Sequence, residues 1–218
     1  MRLAVLASGR GSNLQAILDA IGDGVLDAGV VGVFSDRPKA QALERARAAG
    51  IPAIALRPAD FDTRDAYDAA LFDAIARAQP ELIVCAGYMR LLGAAQVEAW
   101  HGRMINIHPS LLPLFKGLRT HEQALAAGAL QHGASVHFVT AELDGGPVIA
   151  QARVAVLPGD DAASLAARVL DREHPLLLAT LQLLAARRLR LDGASVEFDG
   201  RPLRQPLQLA GMELVEIE

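Results

Sequence analysis

The chain has 218 residues, of which 52% are hydrophobic and 21% are charged, and its formal net charge at pH 7 is −4. This composition predicts a folded globular protein, and 25 acidic residues against 21 basic ones argue against nucleic acid as the main partner, because no cationic excess would neutralise a phosphate backbone. No apolar run approaches the roughly 20 residues of a membrane span, and the single cysteine, Cys85, lies in an apolar run typical of a buried thiol. We therefore expect a cytoplasmic protein with no membrane partner.

The first hundred residues alternate short apolar runs with longer helical patterns. Predicted strands cover 3–6, 30–34, 54–56 and 82–85, and predicted helices between them cover 13–18, 40–49 and 63–77. The apolar strands lack the in/out alternation of a half-exposed sheet, so they are typical of a parallel sheet that is covered on both faces. The pattern predicts an α/β fold that is doubly wound and Rossmann-like, with a mostly parallel sheet and helices on both faces.

The later part of the chain predicts further strands and one long helix. Strands are predicted at 104–108, 135–139 and 147–156, and a helix at 162–187 with Pro175 as a candidate interruption. The run Val196–Arg201 predicts a hairpin, because its Asp-Gly pair supplies the positive φ that a tight turn needs. No repeat or Ser/Pro linker divides the chain, and we expect a single domain over 1–218.

A glycine-rich loop, residues 8–13, follows the first strand. Its glycines let the backbone approach an anion at the N-terminus of the next helix, and a side chain added at Gly11 is expected to fill the space of that anion. Leu14 stands where the dinucleotide fingerprint needs glycine or alanine, and the Lys-Ser/Thr pair of a Walker A loop is missing, so nicotinamide cofactors and ATP are not favoured. A phosphorylated metabolite fits the loop. The alternative is a tight turn with Ser12 or Asn13 as the helix N-cap.

Two polar side chains converge at the end of the strand 104–108. Asn106 and His108 are two residues apart, so both project from the same face, and Pro109 ends the strand. An amide and an imidazolium at this edge would be suitable donors to an oxyanion, although a strand-end histidine bonded to a carbonyl is the alternative. Asp144 opens a Gly-Gly turn. If that turn folds over the strand end, its carboxylate would orient His108 and stabilise the imidazolium; otherwise it is only a turn residue.

The remaining candidate groups provide no metal or nucleophile motif. The closest run to His-Glu-x-x-His begins at His121 and has Leu125 in place of the second histidine, so metal catalysis is disfavoured. His137 lies in an apolar run and is expected to be a hydrogen-bonded core histidine. No serine occupies a Gly-x-Ser-x-Gly elbow, and Cys85 lies inside a strand, so no covalent nucleophile is predicted.

Four motifs occur in order: LASGRGSNLQ at 6–15, CAGYMR at 85–90, NIHPSLLP at 106–113, and a segment at 135–147 that begins SVHFVT and ends DGGP. Together they resemble the phosphoribosylglycinamide formyltransferases of the folate-dependent formyltransferase family. The resemblance covers nearly the whole chain and implies a nucleotide-phosphate-binding half at 1–100 and a folate-binding and catalytic half at 101–218. Methionyl-tRNA formyltransferase and formyltetrahydrofolate hydrolase share the SLLP element but carry an additional domain, which we do not expect here.

The resemblance implies formyl transfer from 10-formyltetrahydrofolate to the amine of 5′-phosphoribosylglycinamide (glycinamide ribonucleotide) in de novo purine biosynthesis, without a metal or bound cofactor. The implied catalytic residues are Asn106, His108 and Asp144. The implied ribonucleotide-binding residues are Gly11, Ser12, Asn13 and Glu173. The implied folate-binding residues are Arg64, Met89, Arg90, Leu91, Leu92, Asn106, Thr140, Ala141, Glu142, Leu143 and Asp144.

The chain departs from the commonest family pattern at Arg119, where relatives often have histidine, and at Arg10 beside the glycine loop, where asparagine or a similar polar residue is frequent.

Two other functions stay open at this point. One is a relative that transfers the formyl group to water, as a formyltetrahydrofolate hydrolase does, or to another amine. The other is a non-catalytic phosphometabolite-binding protein, which the glycine loop alone would suggest. Both a monomer and a homodimer are compatible with the sequence.

Overall fold

In the computed structural model, which describes residues 1–216, the chain forms two units, one ending at Asn106 and the other beginning at Ile107. Within the described residues, no helix combines the length and apolar character that crossing a membrane requires.

The first unit is built on parallel strands. The strands are β1 (Arg2–Leu6), β2 (Gly29–Ser35), β3 (Ala53–Ala55), β4 (Leu82–Cys85) and β5 (Met104–His108), whose last two residues belong to the second unit. The helices are α1 (Ser12–Gly22), α2 (Gln41–Ala48), α3 (Arg64–Arg77) and α4 (Ala94–Ala99). The strand order is β5-β4-β1-β2-β3, and each neighbouring pair is parallel.

The strand order reverses at β1 and β4. From β1 the chain moves outward through α1 to β2 and through α2 to β3, and then returns through α3 to β4 on the other side of β1. Because crossovers between parallel strands are right-handed, the reversal places α1 and α2 on one face of the sheet and α3 on the other. This confirms the predicted doubly wound α/β fold. In such folds ligands bind at the carboxyl ends of the strands where the order reverses.

The central strands are buried on both faces, which explains their continuous apolar sequence. Every residue of β4 and the stretch Leu3–Leu6 of β1 is buried. The loops that follow these two strands therefore start from a rigid base. Sequence patterns missed α4 because its six residues are too few to establish a helical period.

In the described part of the second unit, the strands after β5 form two hydrogen-bonded groups, and two helices accompany them. Its elements after β5 are α5 (Thr120–Ala126), β6 (Gln131–Phe138), β7 (Val148–Ala155), α6 (Ala162–Ala185), β8 (Leu189–Asp192), β9 (Ser195–Phe198), β10 (Arg201–Pro202), β11 (Leu207–Ala210) and β12 (Glu213–Val215). In the larger group β6 pairs antiparallel with β7, β7 parallel with β11, and β11 antiparallel with β12. The strands β8, β9 and β10 form a separate antiparallel sheet.

Helix α6 continues through Pro175 without interruption. Proline cannot donate to the carbonyl of Asp171 four residues earlier, but its ring is buried, as is the adjacent Leu176, and this packing retains the helix. A capping box fixes the start of the helix: Oδ1 of Asp161 accepts from the Ser164 amide at 2.8 Å, and Oγ of Ser164 accepts from the Asp161 amide at 3.0 Å.

The predicted hairpin is present near the end of the chain. Arg201 of β10 pairs with Phe198 of β9, and the two residues between them, Asp199 and Gly200, have φ of 49° and 77°. Positive φ at both central positions is the requirement of the type I′ turn that Asp-Gly favours.

Candidate active site

The glycine loop of the first unit ends at a helix N-terminus without a side-chain cap. Gly11 is the N-cap of α1, with φ 71° and ψ 34° in the left-handed region, and the first turn contains no acidic residue. The N-cap is therefore neither Ser12 nor Asn13, the two caps that the sequence had offered as an alternative. The partial positive charge of this helix end is well suited to an anion, and Asn13 lies buried in the first turn.

Gly11 is constrained by packing against α2. A Cβ atom at this position would lie 2.7 Å from Cβ and 2.8 Å from Cα of Ala42. The two segments are also joined by a hydrogen bond from the amide of Ala42 to the carbonyl of Gly9 at 3.1 Å. Packing against α2 is therefore a reason for glycine at position 11 that is independent of any bound anion.

The β4 loop, residues 86–93, lies beside the glycine loop at the reversal of strand order. The amide of Ser8 donates to the carbonyl of Gly87 at 3.0 Å, and the amide of Met89 donates to Oγ of Ser8 at 2.9 Å. The hydroxyls of Tyr88 and Tyr67 are 2.6 Å apart. These contacts hold the backbone of the β4 loop against β1 and α3.

Several residues predicted to bind folate meet in the β4 loop. Nη2 of Arg64, the first residue of α3, donates to the carbonyl of Leu91 at 2.9 Å, and its Nε lies 3.6 Å from Oδ2 of Asp68. Burial raises the pKa of Asp68, and Arg64 opposes that shift. Met89 and Leu91 are exposed, so they offer apolar surface to a ligand, whereas Leu92 is half-buried. Arg90 lies over the ring of Tyr67.

In the second unit, His108 and Asp144 lie side by side. Nδ1 of His108 is 3.5 Å from Oδ2 of Asp144, and the two side chains are 7% and 10% exposed. Nε2 of the same ring lies 3.1 Å from the carbonyl oxygen of Phe115. Because a carbonyl oxygen only accepts, Nε2 carries a hydrogen and Nδ1 is the atom that faces the carboxylate. A protonated ring therefore has an acceptor for each of its N–H groups.

Asp144 lies between two histidines of different character. Its Oδ2 accepts from the amide of Gly117 at 2.8 Å, and its Oδ1 lies 3.7 Å from Nε2 of His137. Burial lowers the pKa of His137 to about 4, and Nδ1 of that ring lies 2.9 Å from the carbonyl of Phe138. His137 is therefore neutral near neutral pH, as expected of a core histidine.

The Gly-Gly turn holds Asp144 in place by close backbone approach. A Cβ at Gly146 would lie 1.9 Å from the carbonyl oxygen of Phe138, so no other residue fits. A further contact joins Nζ of Lys116 to Oε1 of Glu142 at 2.7 Å. The predicted folate-binding residues of this turn lie at the surface: Thr140 is half-buried, and Ala141, Glu142 and Leu143 are exposed.

The other predicted residues occupy separate positions. Asn106 is half-buried on β5, on the same face as His108, and Glu173 is half-buried on α6. Arg119 is the N-cap of α5 with φ 56°, and Arg10 is exposed. Within residues 1–216, no group of three or more His, Cys, Asp or Glu side chains could hold a metal ion.

Three groups that contact His108 or Asp144 were not predicted from the sequence. They are the Phe115 carbonyl, the Gly117 amide and the His137 ring. Two are main-chain groups, which leave no trace in side-chain patterns. The third group is the ring of His137. Its short separation from Asp144 along the chain is the one sequence signal that could have indicated this contact.

Residues 1–181 match the Formyl transferase family, and the chain belongs to this family. The chain is 47% identical over 203 residues to the phosphoribosylglycinamide formyltransferase of Escherichia coli (strain K12), covering 93% of this chain and 96% of that protein. The solved phosphoribosylglycinamide formyltransferase of Coxiella burnetii, in complex with CHES, matches with a TM-score of 0.90 and 46% identity over 93% of this chain and 95% of that one. Within the family, the chain groups with the phosphoribosylglycinamide formyltransferases, and the resemblance seen in its motifs is confirmed.

A hydrolase of the same fold is more distant. A formyltetrahydrofolate deformylase from Pseudomonas syringae pv. tomato matches with a TM-score of 0.83 and 27% identity, over 90% of this chain but only 65% of that one. Both the identity and the mutual coverage therefore favour the transferases over the deformylase.

Proposed function

We propose that the chain transfers the formyl group of 10-formyltetrahydrofolate to the amine of glycinamide ribonucleotide, a step of de novo purine biosynthesis. The observation that carries the proposal is the contact of His108 with Asp144. His108 lies two residues after Asn106 on β5, and the chain groups with the phosphoribosylglycinamide formyltransferases. We expect a cytoplasmic enzyme whose partners are these two small molecules, with no metal or bound cofactor.

The proposed ribonucleotide site uses the N-terminus of α1. The phosphate would bind the amides at Gly11, Ser12 and Asn13, where the helix lacks a side-chain cap and an acidic first turn. Glu173 is also proposed to bind the ribonucleotide. The proposed folate-binding residues are Arg64, the β4 loop and residues 140–144.

The proposed chemistry is direct attack of the neutral amine on the formyl carbon. Negative charge develops on the formyl oxygen in the tetrahedral intermediate. The Asn106 amide would donate to it, and so would Nε2–H of His108, which must exchange its present acceptor, the Phe115 carbonyl, for the formyl oxygen. Asp144, 3.5 Å from Nδ1 of His108, would orient that ring. The proton of the attacking nitrogen would pass to the folate nitrogen through His108 or through a water that Asp144 positions.

A formyl-transfer assay with the purified chain tests this proposal. Turnover should require both 10-formyltetrahydrofolate and glycinamide ribonucleotide, and it should persist in excess chelator. Formate release without the ribonucleotide would instead indicate a hydrolase. Binding of a phosphorylated metabolite without any turnover would indicate a non-catalytic protein, and rescue of a chelator-inhibited enzyme by zinc would contradict the metal-free mechanism.

A further inference from the structure

One hydroxyl group links three loops at the carboxyl edge of the first unit's sheet. Ser8 lies just after β1 and is 2% exposed. Its Oγ donates to Oδ1 of Asp36, in the loop after β2, at 2.6 Å. The same Oγ accepts from the amide of Met89, in the β4 loop, at 2.9 Å.

The direction of each hydrogen bond follows from the chemistry of the partners. An ionised carboxylate only accepts, so the single hydrogen of the Ser8 hydroxyl points to Asp36. The amide of Met89 only donates, so it takes a lone pair of the same oxygen. Asp36 is 9% exposed, and such a charge-assisted bond in a buried setting holds the hydroxyl firmly. The amide of Ser8 makes a further bond to the Gly87 carbonyl at 3.0 Å.

Ser8 thus belongs at once to the glycine loop and to the packing of the β4 loop. In the proposed function, on which this inference rests, the glycine loop holds the ribonucleotide phosphate and the β4 loop holds the folate. We propose that Ser8 is a positioning residue that couples the two substrates: a ligand that fixes one loop also fixes the other through this hydroxyl. Coupling of this kind is reciprocal, so each substrate raises the affinity for the other by the same factor.

Calorimetry on three variants tests the coupling. The affinity for glycinamide ribonucleotide is measured with and without saturating tetrahydrofolate, which carries no formyl group to transfer. Ser8→Ala removes both side-chain bonds, whereas Ser8→Thr keeps the hydroxyl. Ser35→Ala is the matched control, because it removes another buried serine hydroxyl, one that lies at the end of β2 and accepts only a local hydrogen bond from the amide of Arg37.

In the wild type and in the Ser8→Thr and Ser35→Ala variants, tetrahydrofolate should tighten ribonucleotide binding. In Ser8→Ala that enhancement should disappear, and the affinity for each ligand should fall about tenfold, as expected when a buried hydrogen-bond partner is deleted. An enhancement that survives in Ser8→Ala, or that is lost equally in Ser35→Ala, would overturn the proposal.

A measurement on the wild type covers the case in which Ser8→Ala does not fold. The ribonucleotide alone should slow hydrogen exchange of amides at 86–93, and unchanged exchange there would overturn the coupling. An enzyme that turns over but shows independent binding refutes the coupling and leaves the proposed function intact. A chain with no formyl transfer refutes the proposed function itself.

Discussion

Replacing Gly11 with alanine should destabilise the fold through two separate effects. The residue has φ 71°, a left-handed conformation that costs a residue with a Cβ about 1–2 kcal/mol. The new methyl group would also sit 2.7 Å from Cβ of Ala42, and overpacking of that kind costs about 1–3 kcal/mol. The sum, about 2–5 kcal/mol, is a large part of the roughly 5–15 kcal/mol that stabilises a typical domain.

Urea unfolding of four variants tests this reasoning. Gly9→Ala is the control in the same loop, because nothing lies within 4 Å of its added Cβ, and its free energy of unfolding should change by less than about 0.5 kcal/mol. Ala42→Gly alone should cost up to about 1 kcal/mol through helix propensity. Combined with Gly11→Ala, it should recover only the part of the loss that comes from Cβ of Ala42, because the contact at 2.8 Å with Cα of residue 42 and the strained backbone of residue 11 both remain. Equal stabilities of Gly11→Ala and Gly9→Ala would refute the reasoning.

Three further predictions concern Asn106, Asp144 and two buried histidines. Asn106→Ala should lower kcat with little change in KM, by a barrier increase of about 2.7–4 kcal/mol as for other oxyanion donors; a normal kcat with a raised KM would indicate simple substrate binding. Asp144→Asn should lower kcat at least about tenfold, since a neutral amide replaces the carboxylate that faces Nδ1 of His108 at 3.5 Å; steady-state kinetics with unchanged kcat would contradict that role. Burial lowers the pKa of His132 and of His137 from 6.5 to about 4. Between pH 6.5 and about pH 4 the unfolded chain therefore binds more protons than the folded chain. The free energy of unfolding should fall as the pH drops through this interval, by at most about 3 kcal/mol per histidine. Denaturant titrations across that interval should show a shallower fall for His132→Gln, and a flat wild-type profile would contradict the sign.

Local periodicity was enough to predict the strands β1 to β7 and the shared face of Asn106 and His108, whereas β8, β11 and β12 were not predicted. Both follow from rules that act over a few residues: continuous apolar runs for buried strands, and a side-chain period of two. The Asp199-Gly200 turn was predictable for the same reason, since the required φ values belong to those two residues.

Contacts between distant segments were not predictable in this way. The meeting of His108 with Asp144 depends on how a turn folds over the end of a strand, and sequence analysis could state it only as a condition. The packing of Gly11 against Ala42 depends on the approach of two helices. The bonds from Ser8 to Asp36 and to Met89 join loops that are 28 and 81 residues apart in sequence, where no local pattern records the pairing.

The backbone at Asp144 limits what evolution can do with this turn. Asp144 has φ 46°, a region that aspartate and asparagine tolerate better than most other residues, and Gly146 has no room for a Cβ. Selection for the shape of the turn alone would therefore preserve most of the Asp-Gly-Gly run. Invariance of these positions among relatives would not distinguish chemistry from architecture. Exchange of Asp144 for asparagine keeps the shape and removes the charge, so it is the substitution that separates the two.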